Sequence, residues 1–245
     1  MVESLSIKKE PLGNGLFTYV SKNHTFGTDA VLLADFASAK KVKRHCDLGT
    51  GCGIIPLLLL RDNTAESSVG VEISKEAVGL AERSAEEFSD GRFTVLHSDL
   101  KDLKGKLPFG EFSLVTCNPP YKASGAGILS DSATDLVARH ETMCTLEDVI
   151  SVASRLLKSS GRLCICQRPE RLADIIDLMR KYRVEPKRLR AVCKRVGDEP
   201  WLILVEGMRD AKSGMRILPC LYVYEGENIS SEMMKIYGPY KEGHA

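Results

Sequence analysis

Three glycines at alternate positions, Gly49, Gly51 and Gly53, constrain this chain more than any other feature. Before them stands His45-Cys46-Asp47-Leu48, and after them Ile54-Ile55-Pro56 opens an apolar run. The segment reads as a strand, a glycine turn and the start of a helix. Glycine lets the backbone turn tightly and come close to a ligand, and a helix N-terminus presents unpaired N–H groups there. A strand that feeds a helix in this way is a unit of an alternating α/β sheet.

The remaining pattern keeps that alternation. Helical spacing covers Asp29–Ala39, with Thr28 or Asp29 able to cap it. Strands are expected at Arg44–Leu48, Ser68–Ile73, Phe93–His97, Phe112–Cys117 and Arg162–Cys166, and helices at Gly53–Arg61, Lys75–Phe88, Thr145–Lys158 and Pro169–Tyr182. Lys187–Val192 and Trp201–Glu206, separated by Gly197-Asp198-Glu199-Pro200, read as a hairpin. The expectation is an α/β fold: a mostly parallel seven-stranded sheet with an antiparallel C-terminal hairpin and helices on both faces. At 245 residues the chain suits one domain with a small extension. The segments are an N-terminal part with its helix (1–43), a central domain (44–210) and a C-terminal extension (211–245). In the extension Leu218–Tyr224 reads as a strand and Ser230–Tyr237 as a short helix, without a functional reading.

Open α/β sheets bind ligands at the carboxyl ends of their strands. Asp47 and the glycine turn follow the first strand of this series, Glu72 ends the second, Asp99 follows the third and Asn118 ends the fourth. Each acid alone would pass for a solvated loop residue, but four polar groups on one rim would not. The pattern D-x-G-x-G-x-G differs from G-x-G-x-x-G, whose turn cradles a pyrophosphate. A carboxylate beside the turn repels a pyrophosphate and favours a cationic amino group. An acid at Glu72 suits ribose hydroxyls, and one at Asp99 suits an adenine amino group.

Asn118-Pro119-Pro120-Tyr121 is the second informative feature. Two prolines lack backbone N–H groups and have fixed φ, so the loop mainly displays acceptors. The Asn118 side-chain carbonyl and the Pro119 backbone carbonyl can receive both protons of one planar amino group, and Tyr121 can cover the attached ring. A plain proline turn closing a strand is the competing reading.

Composition excludes several classes. A net charge of +1 gives no global nucleic-acid signature. Arg180, Lys181, Arg183, Lys187, Arg188, Arg190, Lys194 and Arg195 form a local basic stretch, which suits either phosphates or a solvated helix end and edge strand. No apolar run is long enough for a membrane helix. Met1-Val2-Glu3-Ser4 lacks the features of a signal peptide. The eight cysteines form no C-x-x-C pair, which favours reduced thiols in a cytoplasmic protein. The five histidines show no metal-ligand spacing with them, so no metal is expected. His140, between Arg139 and Glu141, reads first as an ion-pair partner, and Cys52 as a packing residue.

The glycine turn with Asp47, together with Asn118-Pro119-Pro120-Tyr121, resembles class I S-adenosylmethionine-dependent methyltransferases, a Rossmann-like fold, of the kind that methylates amino groups. Phe26-Gly27-Thr28-Asp29-Ala30-Val31-Leu32-Leu33-Ala34, Ala138-Arg139-His140-Glu141 and Arg168-Pro169-Glu170-Arg171-Leu172 narrow the resemblance. They are similar to motifs of the bacterial tRNA adenine-N6 methyltransferases, which modify the adenine 3′ of the anticodon of valine tRNA. The resemblance covers about Phe17 to Glu206. It implies S-adenosylmethionine as cofactor and tRNA as partner. Asp47, Gly49, Thr50, Gly51 and Cys52 would lie along the methionine end, Glu72 and Ile73 at the ribose, and Asp99 with Leu100 at the adenine. Phe26, Thr28 and Asp29 would close over the cofactor, and Asn118, Pro119, Pro120 and Tyr121 would take the target base. Glutamine side-chain methylation on a protein, DNA or rRNA amino-methylation, and a catalytically silent binding module remain as alternatives. The glutamine-methylating relatives usually carry an N-terminal helical domain, for which too few residues precede Arg44.

Overall fold

A computed structural model describes residues 7–87, 90–119 and 144–241. The chain opens with β1 (Lys8–Gly13) and β2 (Leu16–Val20), then α1 (Thr28–Ala37), β3 (Val42–Leu48), α2 (Ile54–Arg61), β4 (Ala65–Glu72), α3 (Lys75–Glu87), β5 (Phe93–His97) and β6 (Phe112–Cys117). After residue 143 come α4 (Leu146–Leu156), β7 (Leu157–Gln167), α5 (Leu172–Lys181), β8 (Val184–Cys193) and β9 (Leu202–Arg209). Four two-residue strands follow, β10 (Arg216–Ile217), β11 (Leu221–Tyr222), β12 (Tyr224–Glu225) and β13 (Asn228–Ile229), and α6 (Ser231–Lys241) closes the described chain.

Seven long strands form the main sheet in the order β8-β9-β7-β6-β3-β4-β5, and β10 and β11 extend the β8 edge to nine strands among the described residues. From β7 to β5 every pairing is parallel, while β9 runs antiparallel to both β7 and β8. Alternate residues of each strand face opposite ways. Leu114, Cys164, Cys166, Leu202 and Leu204 pack with α1, α2 and α3. Val115, Leu163, Ile165, Ile203 and Val205 pack with α4 and α5. Each fully buried Leu or Phe in these layers contributes about 1.5–3 kcal/mol.

Local chemistry sets the boundaries. Thr145 caps α4: its hydroxyl accepts from the Asp148 N–H at 3.1 Å, and the Asp148 carboxylate accepts from the Thr145 N–H at 2.9 Å. That helix ends at Leu156, before the expected Lys158, because the chain passes directly into β7. Gly161 permits this: a Cβ there would lie 2.8 Å from the carbonyl oxygens of Lys158 and Phe112.

One region goes beyond the sequence expectation. β1 and β2 form a hairpin outside the main sheet, joined through Asn14 and Gly15, both with positive φ. Asn-Gly is the favoured two-residue hairpin turn, and Pro11 in β1 hides it from a strand pattern. The C-terminal helix α6 packs on α1 and β1, so the first and last segments share one core with the centre.

Candidate functional site

Parallel pairing carries the strand ends to one rim. Leu48 lies beside Val71 and Cys117, Glu72 beside His97, and Cys117 beside Ile165. The glycine turn leaves β3 here. The N–H groups of Gly49 and Thr50 donate to the Val71 carbonyl at 2.9 and 3.0 Å. Gly49 and Gly51 take φ of 71° and 55°, and a Cβ at either would meet nothing within 4 Å. The turn therefore offers bare backbone to open space.

Glu72 braces this turn. One carboxylate oxygen accepts from the Gly51 N–H at 2.9 Å, and the other from the N–H groups of Ile73 and Ser74 at 2.8 Å each. The β1–β2 hairpin backs it, because the Thr18 hydroxyl donates to the Cys52 carbonyl at 3.1 Å. Cys52 is buried, and burial pushes its thiol up to about 11, so it is no nucleophile.

Asp47 is only 1 % exposed, so its charge reaches the open side through the field rather than by contact. It ends a chain of buried polar groups. The Thr116 hydroxyl donates to Asp47 Oδ1 at 2.5 Å. Thr116 has one proton to give, so the His45 Nε2–H must donate to Thr116 Oγ1, at 2.8 Å. His45 Nδ1 then accepts from the Ser68 hydroxyl at 2.9 Å. Burial, reinforced by the charge of Arg162, lowers His45 to about 3 and keeps it neutral. Burial raises Asp47 to about 7, against the hydrogen bond from Thr116 and with a smaller push from Glu72.

Asn118 follows β6 on the same rim, half-buried, with Pro119 buried after it. Its Nδ2 donates to Asp29 Oδ2 at 3.1 Å, and its Oδ1 accepts from the Cys166 thiol at 3.0 Å. Asp29 stands in the first turn of α1. Thr28 beside it bonds Tyr237 of α6, which gives the C-terminal segment a contact with the site's edge. Phe26 packs against the core below α1. Asp99 accepts from the Lys101 N–H at 2.8 Å and lies beside the half-buried Leu100. Pro120, Tyr121, Ala138, Arg139, His140 and Glu141 lie outside the described residues.

The basic stretch is not one surface. The register sets Val184 opposite Arg209 and Val192 opposite Leu202, which places the start of β8 at the sheet end away from the rim. Arg180 pairs with Glu185 and Arg183 with Asp210 near that far end, Lys181 reaches Glu147 in the first turn of α4, and Lys187 donates to the Lys212 carbonyl. Arg188 and Arg190 are held internally, by Glu206 and Glu232. Lys194 and Arg195 follow β8 at the rim end. Of the two readings the sequence leaves open, one continuous phosphate-facing surface is not formed by this stretch, because β8 spans the height of the sheet.

His45, Ser68, Thr116, Cys166 and Tyr237 are the site's unanticipated members. The first four are polar or thiol groups inside apolar strands, and their signal was that misfit. Among the described residues no cluster of His, Cys, Asp or Glu could hold a metal ion, and no helix is long and apolar enough to cross a membrane.

The family model for the methyltransferase small domain matches residues 15–183. A tRNA1(Val) (adenine(37)-N6)-methyltransferase of Porphyromonas gingivalis is 35% identical over 188 residues, which cover 74% of this chain and 72% of that protein. A protein of the same name from Tolumonas auensis is 30% identical over 176 residues, 67% of this chain and 71% of its own. The crystal structure of a predicted O-methyltransferase from Agrobacterium tumefaciens shares the fold, with a TM-score of 0.70 at 23% identity, over 87% of this chain and 97% of that one.

Proposed function

The chain belongs to the methyltransferase small domain family, and on that premise we propose that it methylates the exocyclic N6 of an adenine in tRNA. Its S-adenosylmethionine-dependent methyltransferase character follows from the family and the fold. The relatives named for adenine 37 of valine tRNA support that nucleotide as the target. The cytoplasm, where tRNA resides, is the corresponding compartment.

One observation carries the reading: the Asn118 amide, with Pro119 behind it, lies on the same strand-end rim as a glycine turn that exposes bare backbone. The turn fits the methyl donor, since Gly49 and Gly51 leave open the space a side chain would fill. When bound, S-adenosylmethionine supplies an electrophilic methyl group on a positively charged sulfur. The turn, with Thr50 and Cys52, would line its methionine end, and the buried Asp47 charge would favour its ammonium group. Glu72 and Ile73 would meet the ribose, Asp99 and Leu100 the adenine ring. Phe26, just before α1, and Thr28, at its start, would border the cofactor.

The nitrogen of an adenine amino group is planar and its lone pair is delocalised, which makes it a poor nucleophile. The Asn118 Oδ1 and the Pro119 carbonyl would each accept one of its protons. That holds the nitrogen in place and favours the pyramidal form. Both acceptors also face the positive charge that grows on nitrogen, so they help most in the transition state. Pro120 and Tyr121 complete the motif, and stacking on an aromatic ring contributes about 1–3 kcal/mol. No side chain has to act as a nucleophile. An anticodon-loop base is largely unpaired, which lowers the cost of drawing it out. Lys194 and Arg195 are the basic residues best placed to meet RNA phosphates near the rim, and Arg180, Lys181, Arg183 and Lys187 would meet only RNA that reaches the far end.

The test is radiolabelled methyl transfer to unmodified tRNA, to protein and to DNA, with mass mapping of the product nucleotide. Label at an adenine of tRNA, lost in Asn118→Ala while donor binding persists, is the expected result. Label in protein or DNA alone, or none in any arm, contradicts the reading.

A further inference from the structure

We propose that Asp29 is a positioning residue that decides which end of the Asn118 amide faces the substrate. The inference rests on the proposed amino-group methylation and adds a residue to it. An amide can sit two ways round, and only one presents oxygen to an incoming N–H. The Asp29 carboxylate, when ionised, has only acceptors to offer. It therefore holds the Nδ2 end, at 3.1 Å, and turns Oδ1 to the other side. There the Cys166 thiol, the weaker donor, takes one lone pair at 3.0 Å. An amide oxygen has two lone pairs, so a bond from the thiol does not exhaust its capacity to accept. The ionic acceptor on Nδ2 also polarises the amide and strengthens Oδ1 as an acceptor.

The backbone is arranged for this contact. Gly27 precedes α1 with ordinary negative φ, so its conformation does not require glycine. The space does: a Cβ at Gly27 would stand 2.6 Å from Asp29 Oδ1. Any side chain there would push the carboxylate from its place. The second carboxylate oxygen is fixed as well, accepting from the Ala30 N–H at 3.0 Å. At its other end α1 is tied down, because Arg188 donates to the Phe36 carbonyl and Arg162 to the carbonyls of Ala37 and Lys40. The helix that carries Asp29 is thus held by the sheet that carries Asn118.

Asp29→Ala removes the acceptor, and Gly27→Ala displaces it while leaving its charge. Three readouts separate the possibilities: kcat against the KM of each substrate, calorimetric affinity for S-adenosylhomocysteine, and the side-chain amide NMR signals of Asn118, identified by their loss in Asn118→Ala. Expected are a fall in kcat of about 10- to 100-fold for Asp29→Ala, a smaller fall for Gly27→Ala, cofactor affinity within twofold of the parent, and displaced Asn118 signals in both. Partial recovery by Asp29→Glu supports the same role. The proposal is overturned if both variants keep kcat within twofold and leave the Asn118 signals in place. It is also overturned if cofactor affinity drops while saturated turnover is normal, since Asp29 would then be a cofactor contact. The NMR readout needs no substrate, so it stands even if the parent methylates something other than tRNA.

Discussion

Two buried polar networks support this site, and they solve the cost of burial in opposite ways. Beneath the glycine turn, Ser68, His45, Thr116 and Asp47 form a line of hydrogen bonds, with no opposite charge on Asp47 among the described residues. Behind α1, Arg162 and Arg188 both grip Glu206, each at 2.7 Å. Burial raises a carboxylate unless something compensates. In the first network it wins, and Asp47 is lifted to about 7 despite Thr116. In the second, burial also pushes Glu206 up, but the hydrogen bonds and charges of the two arginines outweigh it and leave Glu206 below its ordinary value. The paired network is fixed in charge and anchors the C-terminal end of α1, where the helix dipole is negative and suits guanidinium groups. The unpaired one is poised to titrate near neutrality, directly under the turn. They also communicate, because the Arg162 charge helps keep His45 neutral.

Breaking the ionic network has the largest expected effect. Glu206→Ala strands two guanidinium groups, one of them deeply buried, and is expected to cost about 3–5 kcal/mol in denaturant unfolding. A variant that unfolds with the parent would mean that the arginines find other partners and that the pairing is not what holds α1.

The neutral network responds more mildly and shows itself through pH. Thr116→Val keeps the shape but leaves His45 Nε2–H and Asp47 Oδ1 unpaired, at a cost of about 1–3 kcal/mol. The two titrating groups pull in opposite directions. Asp47 has a raised value in the fold, so the native state holds a proton that the unfolded chain has lost; its contribution is full below 3.8 and is lost as pH rises through about 7. His45 has a lowered value, so its contribution is full above 6.5 and is lost as pH falls toward 3. Their slopes cancel where the windows overlap. Asp47→Asn removes one of them, and its stability relative to the parent is expected to rise by up to about 1.4 kcal/mol per pH unit from about pH 4 to 7. A difference that stays flat across that window would show that Asp47 does not titrate there.

Much of this was legible in the sequence, and the exceptions share a cause. The turn at Gly49–Gly53 and the acceptors at Asn118 and Pro119 announce themselves locally, and parallel alternation alone brings strand ends to one rim. What needs register stays hidden. Nothing within a few residues of Thr116 reveals that it meets His45 and Asp47, or that Asp29 meets Asn118. The basic run from Arg180 to Arg195 looked continuous because sequence does not show that β8 spans the sheet with one end far from the rim. The sequence shows a helical pattern for the α6 segment but no role, since its contacts with α1 and β1 lie at the opposite end of the chain.

The most direct test of the account is a crystal structure with S-adenosylhomocysteine bound. The expected result has the amino acid end against the Gly49–Gly53 turn and the sulfur facing the Asn118 Oδ1 and the Pro119 carbonyl, with room between them for a methyl group and an amino nitrogen. A ligand seated away from that turn, or a sulfur turned from Asn118, would contradict it.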